Sequence, residues 1–87
     1  MKPYKEAVKD GKYFRTFLAD TPTAELEWHY DLEDRKVKII ESGGWYFQRD
    51  NELPRMLVDG EELLIKKGEW HRVLGGVDDL SVEIEIL

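Results

Sequence analysis

Cysteine is absent from the 87 residues. Disulfides, thiolate zinc sites and a cysteine nucleophile are therefore excluded, and the chain is compatible with a reducing cytoplasm. Basic charge is in deficit: 13 Lys and Arg stand against 19 Asp and Glu, a net charge of −6. A nucleic-acid backbone would be repelled on average, so no nucleic-acid partner is expected. Long apolar runs are missing too. Nothing approaches the ~18 apolar residues of a membrane span, and no apolar stretch behind Met1-Lys2-Pro3-Tyr4-Lys5 reads as a secretory signal. The expectation is a cytoplasmic chain with no membrane partner. No Gly-rich phosphate loop precedes a helix. Ser42 and Ser81 have no histidine nearby in sequence, which argues against a Ser-His triad.

What is present is a succession of short apolar segments separated by turn residues. Hydrophobic residues make up 41% of the chain, enough for one compact core and no second domain. The best helix candidate lies within residues 1–11: Tyr4, Ala7 and Val8 recur at helical spacing, Pro3 suits a first turn, and Gly11 suits a helix stop. Residues 12–87 read as strands. Lys12 to Ala19 has a β-rich composition. Ala24 to Tyr30 alternates, with Glu25, Glu27 and His29 on one face. Arg35 to Glu41 alternates until Ile40 breaks the pattern. Trp45 to Gln48, Met56 to Val58, Glu62 to Ile65 and His71 to Leu74 follow, punctuated by Gly43-Gly44, Asp59-Gly60, Lys67-Gly68 and Gly75-Gly76. Leu80 to Ile86 has the cleanest period of two. About eight strands at this spacing predict an all-β sandwich or barrel.

Only two histidines occur, His29 and His71. Neutral imidazole is a common metal ligand. His29 and Asp31 share one strand face, so both can point inward. Two histidines and one carboxylate with open positions form the usual set for non-haem Fe(II). The plainer reading is a histidine hydrogen-bonded to a carboxylate at a strand end. Glu25 and Glu27 share the His29 face, as further carboxylates or as solvated residues. Trp28, Trp45 and Trp70 read as packing residues, with Trp45 or Trp70 as the choices for a pocket mouth. Gln48 offers an amide to a ligand.

The spacing Gly60, Gly68, His71 resembles the second motif of the cupin family. Its Pro and Asn positions are here Lys66 and Gly75. His29-Tyr30-Asp31, followed at a distance by Gly43, resembles the first motif, with Asp31 where that motif has a second histidine. The motif's Glu falls on Lys36, or on Arg35 at the shorter spacing, a cation in either case. The stretch from Glu33 to Gln48 also looks similar to small cupin-like proteins of bacteria and phages. The resemblance implies a small cupin-type double-stranded β-helix, a jelly-roll barrel, following the short N-terminal helix. It implies a divalent transition metal (Fe, Mn, Ni or Zn) held by His29, Asp31 and His71, with Glu27, Lys36, Gln48 and Trp45 as pocket candidates. It also implies a small-molecule ligand and, for an enzyme, isomerase or dioxygenase chemistry. The rival is a non-catalytic binding or assembly module whose metal site has degenerated, with Lys36 as the mark. The His-x-Asp…His order is also similar to that of 2-oxoglutarate-dependent oxygenases, but Val77 to Val82 lacks the Arg they use to hold the cosubstrate. A homodimer is expected, because a domain this small gains from extra burial. Its pairing edges would be Leu80 to Ile86 or Tyr13 to Phe17.

Overall fold

The computed structural model describes residues 3–87. Eight strands run in chain order: β1 (Tyr4–Lys9), β2 (Lys12–Phe17), β3 (Arg35–Glu41), β4 (Tyr46–Arg49), β5 (Arg55–Met56), β6 (Glu62–Ile65), β7 (His71–Leu74) and β8 (Leu80–Ile86). They form a five-stranded sheet in the order β1-β2-β8-β3-β6 and a three-stranded sheet in the order β5-β4-β7. Every pairing is antiparallel. No helix among the described residues is long and apolar enough to cross a membrane.

The inner faces of the two sheets make the core. Val37 and Ile39 of β3, Leu63 and Ile65 of β6, and Leu80, Val82 and Ile84 of β8 alternate inward from the large sheet. Phe47 of β4, with Trp45 just before it and Leu57 after β5, faces them from the other side. This is the period-two pattern of strands buried on one face. The break at Ile40 is a bulge: the β3–β8 register shifts between Ile39 and Glu41, and Ile40 turns outward.

Three expectations are corrected. The helix expected within residues 1–11 is a strand over Tyr4–Lys9; residues 1 and 2 lie outside the described range. Asp10-Gly11 is a two-residue hairpin loop rather than a helix stop. Both residues have positive φ, 53° and 76°, and Lys9 pairs directly with Lys12 across them. That is the conformation Asp-Gly favours in a tight hairpin. A two-turn helix would lack stability alone, whereas the strand lays Tyr4 against Phe17, ring centroids 5.3 Å apart.

The strand expected over Ala24 to Tyr30 is also absent. Thr23–Glu25 is a 3₁₀ turn, and the chain then runs irregularly, burying Leu26. Its alternation finds no partner strand beyond one bridge, His29 to His71. The expected dimer edges change with the topology. β2 lies between β1 and β8, and β8 between β2 and β3, so neither is free to pair. The edges of the large sheet are β1 and β6.

Candidate metal centre

The single bridge is what builds the site. His29 N–H donates to His71 O at 3.0 Å, and His71 N–H donates to His29 O at 2.9 Å. Two residues that exchange both bonds sit directly opposite each other with side chains on the same side. Their ring centroids are 4.3 Å apart in an edge-to-face arrangement. His71 starts β7 and is buried, at 4% exposure, whereas His29 lies on the solvent-exposed side of the same cluster.

Each ring is oriented in the same way. His29 Nδ1 lies 3.0 Å from Glu27 O, and His71 Nδ1 lies 2.7 Å from Glu69 O. A carbonyl can only accept, so Nδ1 carries the proton in both rings. In the neutral imidazole Nε2 is then a bare acceptor, the tautomer a metal ligand needs. Burial, and then the neighbouring His29, hold the His71 imidazole below its usual range, against the opposing pull of Glu69 and Asp31.

Asp31 completes the cluster. Its Oδ2 is 3.5 Å from His71 Nε2. One donor atom from each of His29, Asp31 and His71 lies within 4.8 Å of the other two. Metal bonds of roughly 2.0–2.2 Å hold neighbouring donors about 2.8–3.6 Å apart, so the three side chains would draw together around an ion. Two imidazoles and a carboxylate are the right donor chemistry for a divalent transition ion.

The position beside Asp31 belongs to Arg35. The parity of β3 turns Arg35 inward with Val37 and Ile39 and turns Lys36 out. Lys36 pairs with Glu62 and Glu85 on the outer face, at 3.6 and 3.8 Å. Of the two residues counted against the motif's Glu, the inner one is therefore Arg35. Its Nη1 is 3.4 Å from Asp31 Oδ1 and its Nη2 is 2.9 Å from Glu33 Oε1.

Of the other pocket candidates, Trp45 and Gln48 lie away from the cluster, and Glu27 lines the vestibule beside it. Trp45 is fully buried in the core, its Nε1 donating to Asp78 O at 2.6 Å. Gln48 accepts from Arg72 Nε at 2.8 Å and donates to Glu52 O at 2.8 Å, away from the histidines. Glu27 stands at the exposed rim and contributes its backbone carbonyl to His29.

Two connected spaces meet at the cluster. An inner cavity of about 70 Å³ lies between the sheets, and an outer vestibule of about 350 Å³ opens beside it. Arg15, Phe17, His29, Asp31, Arg35 and Val73 line both. Arg15 was not singled out from the sequence. Its signal was there: in β2 it shares the parity of Tyr13 and Phe17, which pack against the core.

A scan against protein-family models finds no match, and neither does a search of curated proteins. Solved structures do match. A cupin-2 domain containing protein from Shewanella frigidimarina aligns over 97% of this chain and 79% of its own, at 19% identity and TM-score 0.68. A cupin domain from Bordetella pertussis aligns over 97% and 91%, at 17% identity and TM-score 0.65. The Fe(II) form of HppE aligns over 97% of this chain but only 48% of its own, at 10% identity and TM-score 0.70. The two packed antiparallel sheets that set His29 and Asp31 beside His71 are the cupin fold.

Proposed function

We propose that the chain binds a divalent transition metal through His29, Asp31 and His71 and presents it to a small molecule entering the inner cavity. One observation carries the reading. With both Nδ1 atoms committed to backbone carbonyls, His29, His71 and Asp31 each bring one ligand atom within 4.8 Å of the other two, and His71 Nε2 faces the Asp31 carboxylate. Three ligand atoms of this chemistry gathered in a partly buried space suit a cation. An ion bound there would supply Lewis-acid polarisation to an oxygen of the small molecule. The chain's own contribution is to hold two imidazoles in one tautomer, aim Asp31 Oδ2 at them, and keep the inner space apolar.

The test is calorimetric titration of Mn²⁺, Ni²⁺ and Zn²⁺ into chelator-treated, tag-free protein, with thermal melts alongside. Stoichiometric binding that raises the melting temperature and is lost in His71→Ala supports the reading. Wild-type protein that binds none of the three ions overturns it.

The Arg35–Asp31 pair favours a second reading. A permanent cation occupies one carboxylate oxygen and adds repulsion to any divalent ion. In that reading the cupin fold serves as a non-catalytic binding or assembly module with a degenerate metal site. Failure of all three ions to bind, with the fold intact, is its signature.

A further inference from the structure

The histidine pair is the middle of three cross-strand pairs. Trp28, His29 and Tyr30 stand opposite Arg72, His71 and Trp70, and the middle pair exchanges both backbone hydrogen bonds. Side chains alternate along an extended chain, so the flanking pairs lie on the outer face when the histidines face the cluster. There the Arg72 guanidinium sits over the Trp28 ring, 4.7 Å from its centroid, and the Tyr30 and Trp70 rings meet edge to face at 4.9 Å. Arg72 is itself aimed. Gln48 stands directly opposite it on β4. The Gln48 amide oxygen accepts from Arg72 Nε at 2.8 Å, and its Nε2 donates to Glu52 O at 2.8 Å. Both ends of the amide are used, and the reversed amide would satisfy neither partner. The guanidinium is thereby fixed against the Trp28 ring.

We propose that Gln48, Arg72 and Trp70 are positioning residues of the metal centre. From the outer face they seat Trp28 and Tyr30, and so hold the backbone of His29 where its ring meets His71. The proposal rests on the metal reading above and adds residues that touch no ion. Leu26 in the core and Asp31 on Arg35 anchor the two ends of this stretch. Between those anchors, the two outer pairs add to the contact of the histidines themselves. A guanidinium over an exposed ring, or a pair of rings edge to face, favours one arrangement by about threefold to tenfold. Two such contacts flank the one pair of backbone bonds at His29, so the seating of that residue depends on them. An ion that needs both imidazoles binds only the seated arrangement, and its affinity scales with the fraction seated.

The test has a metal-free arm and a Zn²⁺ arm. Without metal, NMR follows hydrogen exchange of the His29 backbone N–H, which is bonded to His71 O and reads how often the stretch leaves its seat. That exchange is expected to be faster than exchange in β3 and β8, which places the opening within the folded protein. Gln48→Met releases Arg72, and Trp70→Leu removes the ring against Tyr30. Each should speed His29 exchange about threefold to tenfold, and the double variant by about the product. With Zn²⁺, the double variant should bind at least about threefold more weakly at a temperature where melts show it fully folded. A merely structural role would leave that affinity unmoved. Trp70→Phe restores a ring and should recover most of both effects. Unchanged His29 exchange in both single variants overturns the proposal, and so does wild-type Zn²⁺ affinity in the folded double variant. If the wild type binds no Zn²⁺, the metal reading falls by itself, and His29 exchange still decides whether the outer residues seat the stretch. Should Trp70→Leu misfold, Gln48→Met alone decides by the same exchange.

Discussion

Arg35 Nη1 lies 3.4 Å from Asp31 Oδ1, so the carboxylate nearest the two histidines is already shared with a permanent cation. Two unit charges about 5 Å apart interact by roughly 3 kcal/mol at an effective dielectric near 20. Arg35→Glu removes that repulsion toward a metal and adds a fourth donor on the inner face. Divalent metal affinity is expected to rise about a hundredfold by calorimetry. Lys36→Glu changes the same charge on the outer face, beside Glu62 and Glu85, and should shift affinity no more than about threefold, because exposed charges are screened. Equal effects of the two variants would show that distance and facing do not matter here.

Acid should weaken the metal-free protein in two steps. Burial holds His71 below the ordinary imidazole value of about 6.5, so the unfolded chain binds its proton first. Stability is therefore full above about pH 6.5 and declines as pH falls through the folded value. Urea melts at pH 7.5 and 5.5 check this, and His71→Gln should flatten the difference. A protein that instead grows more stable at pH 5.5 would mean that His71 is protonated and paired with Asp31.

The second step belongs to Asp59. Its carboxylate accepts the Ser42 backbone N–H at 2.8 Å, which holds its pKa below the usual carboxylate range. A depressed carboxyl contributes stability above its unfolded value and loses it as pH falls through the folded one. Its window lies below about pH 4, clear of His71. Asp59→Asn should remove the part of the acid transition in that window and leave the His71 step untouched, as read from melts between pH 2.5 and 7.

Gly76 lies against the backbone of Gly43 and Gly44 so closely that a Cβ would collide with both. Gly76→Ala must push this corner away from Trp45, whose Nε1 is anchored on Asp78 O. A cost of about 1–3 kcal/mol is expected in denaturant melts, typical of forced overpacking. Gly75→Ala, with open space around it, serves as the control and should cost clearly less.

Among the described residues β1 is an edge strand of the large sheet. Such an edge is a ready template for a second copy. A two-fold dimer through β1 is expected, and light scattering across micromolar concentrations should give twice the chain mass. A steady monomer mass counts against it.

Much of the barrel was legible because burial on one face writes a period of two. Arg35–Glu41 and Leu80–Ile86 read directly, and even the bulge showed as the break at Ile40. What misled was local chemistry with two meanings. Asp10-Gly11 ends helices and turns hairpins, and only pairing with β2 decides between them. Ala24 to Tyr30 alternates as a strand should, but strand formation needs a neighbour, and the neighbour is one residue of β7. At the site, the histidines and Asp31 were visible as residue types, and their approach required the topology. The choice between Lys36 and Arg35 lay in parity: Val37 and Ile39 face the core, so the odd-numbered neighbour joins them. Arg15 stayed hidden because a charged residue at a core parity is usually read as an interruption.

The lone bridge between His29 and His71 has a thermodynamic side. Two backbone bonds, the His29–His71 ring contact and Arg72 over the Trp28 ring tie the irregular stretch around His29 to β7. An ion gripping both imidazoles would act as a reversible cross-link, closing the long loop between them in a chain that has no cysteine to do so. By loop-closure entropy a covalent link of that span is worth roughly 4 kcal/mol. Loading and unloading the ion would then tighten and loosen the segment that forms the vestibule wall, making occupancy a latch on access to the cavity as well as a chemical centre.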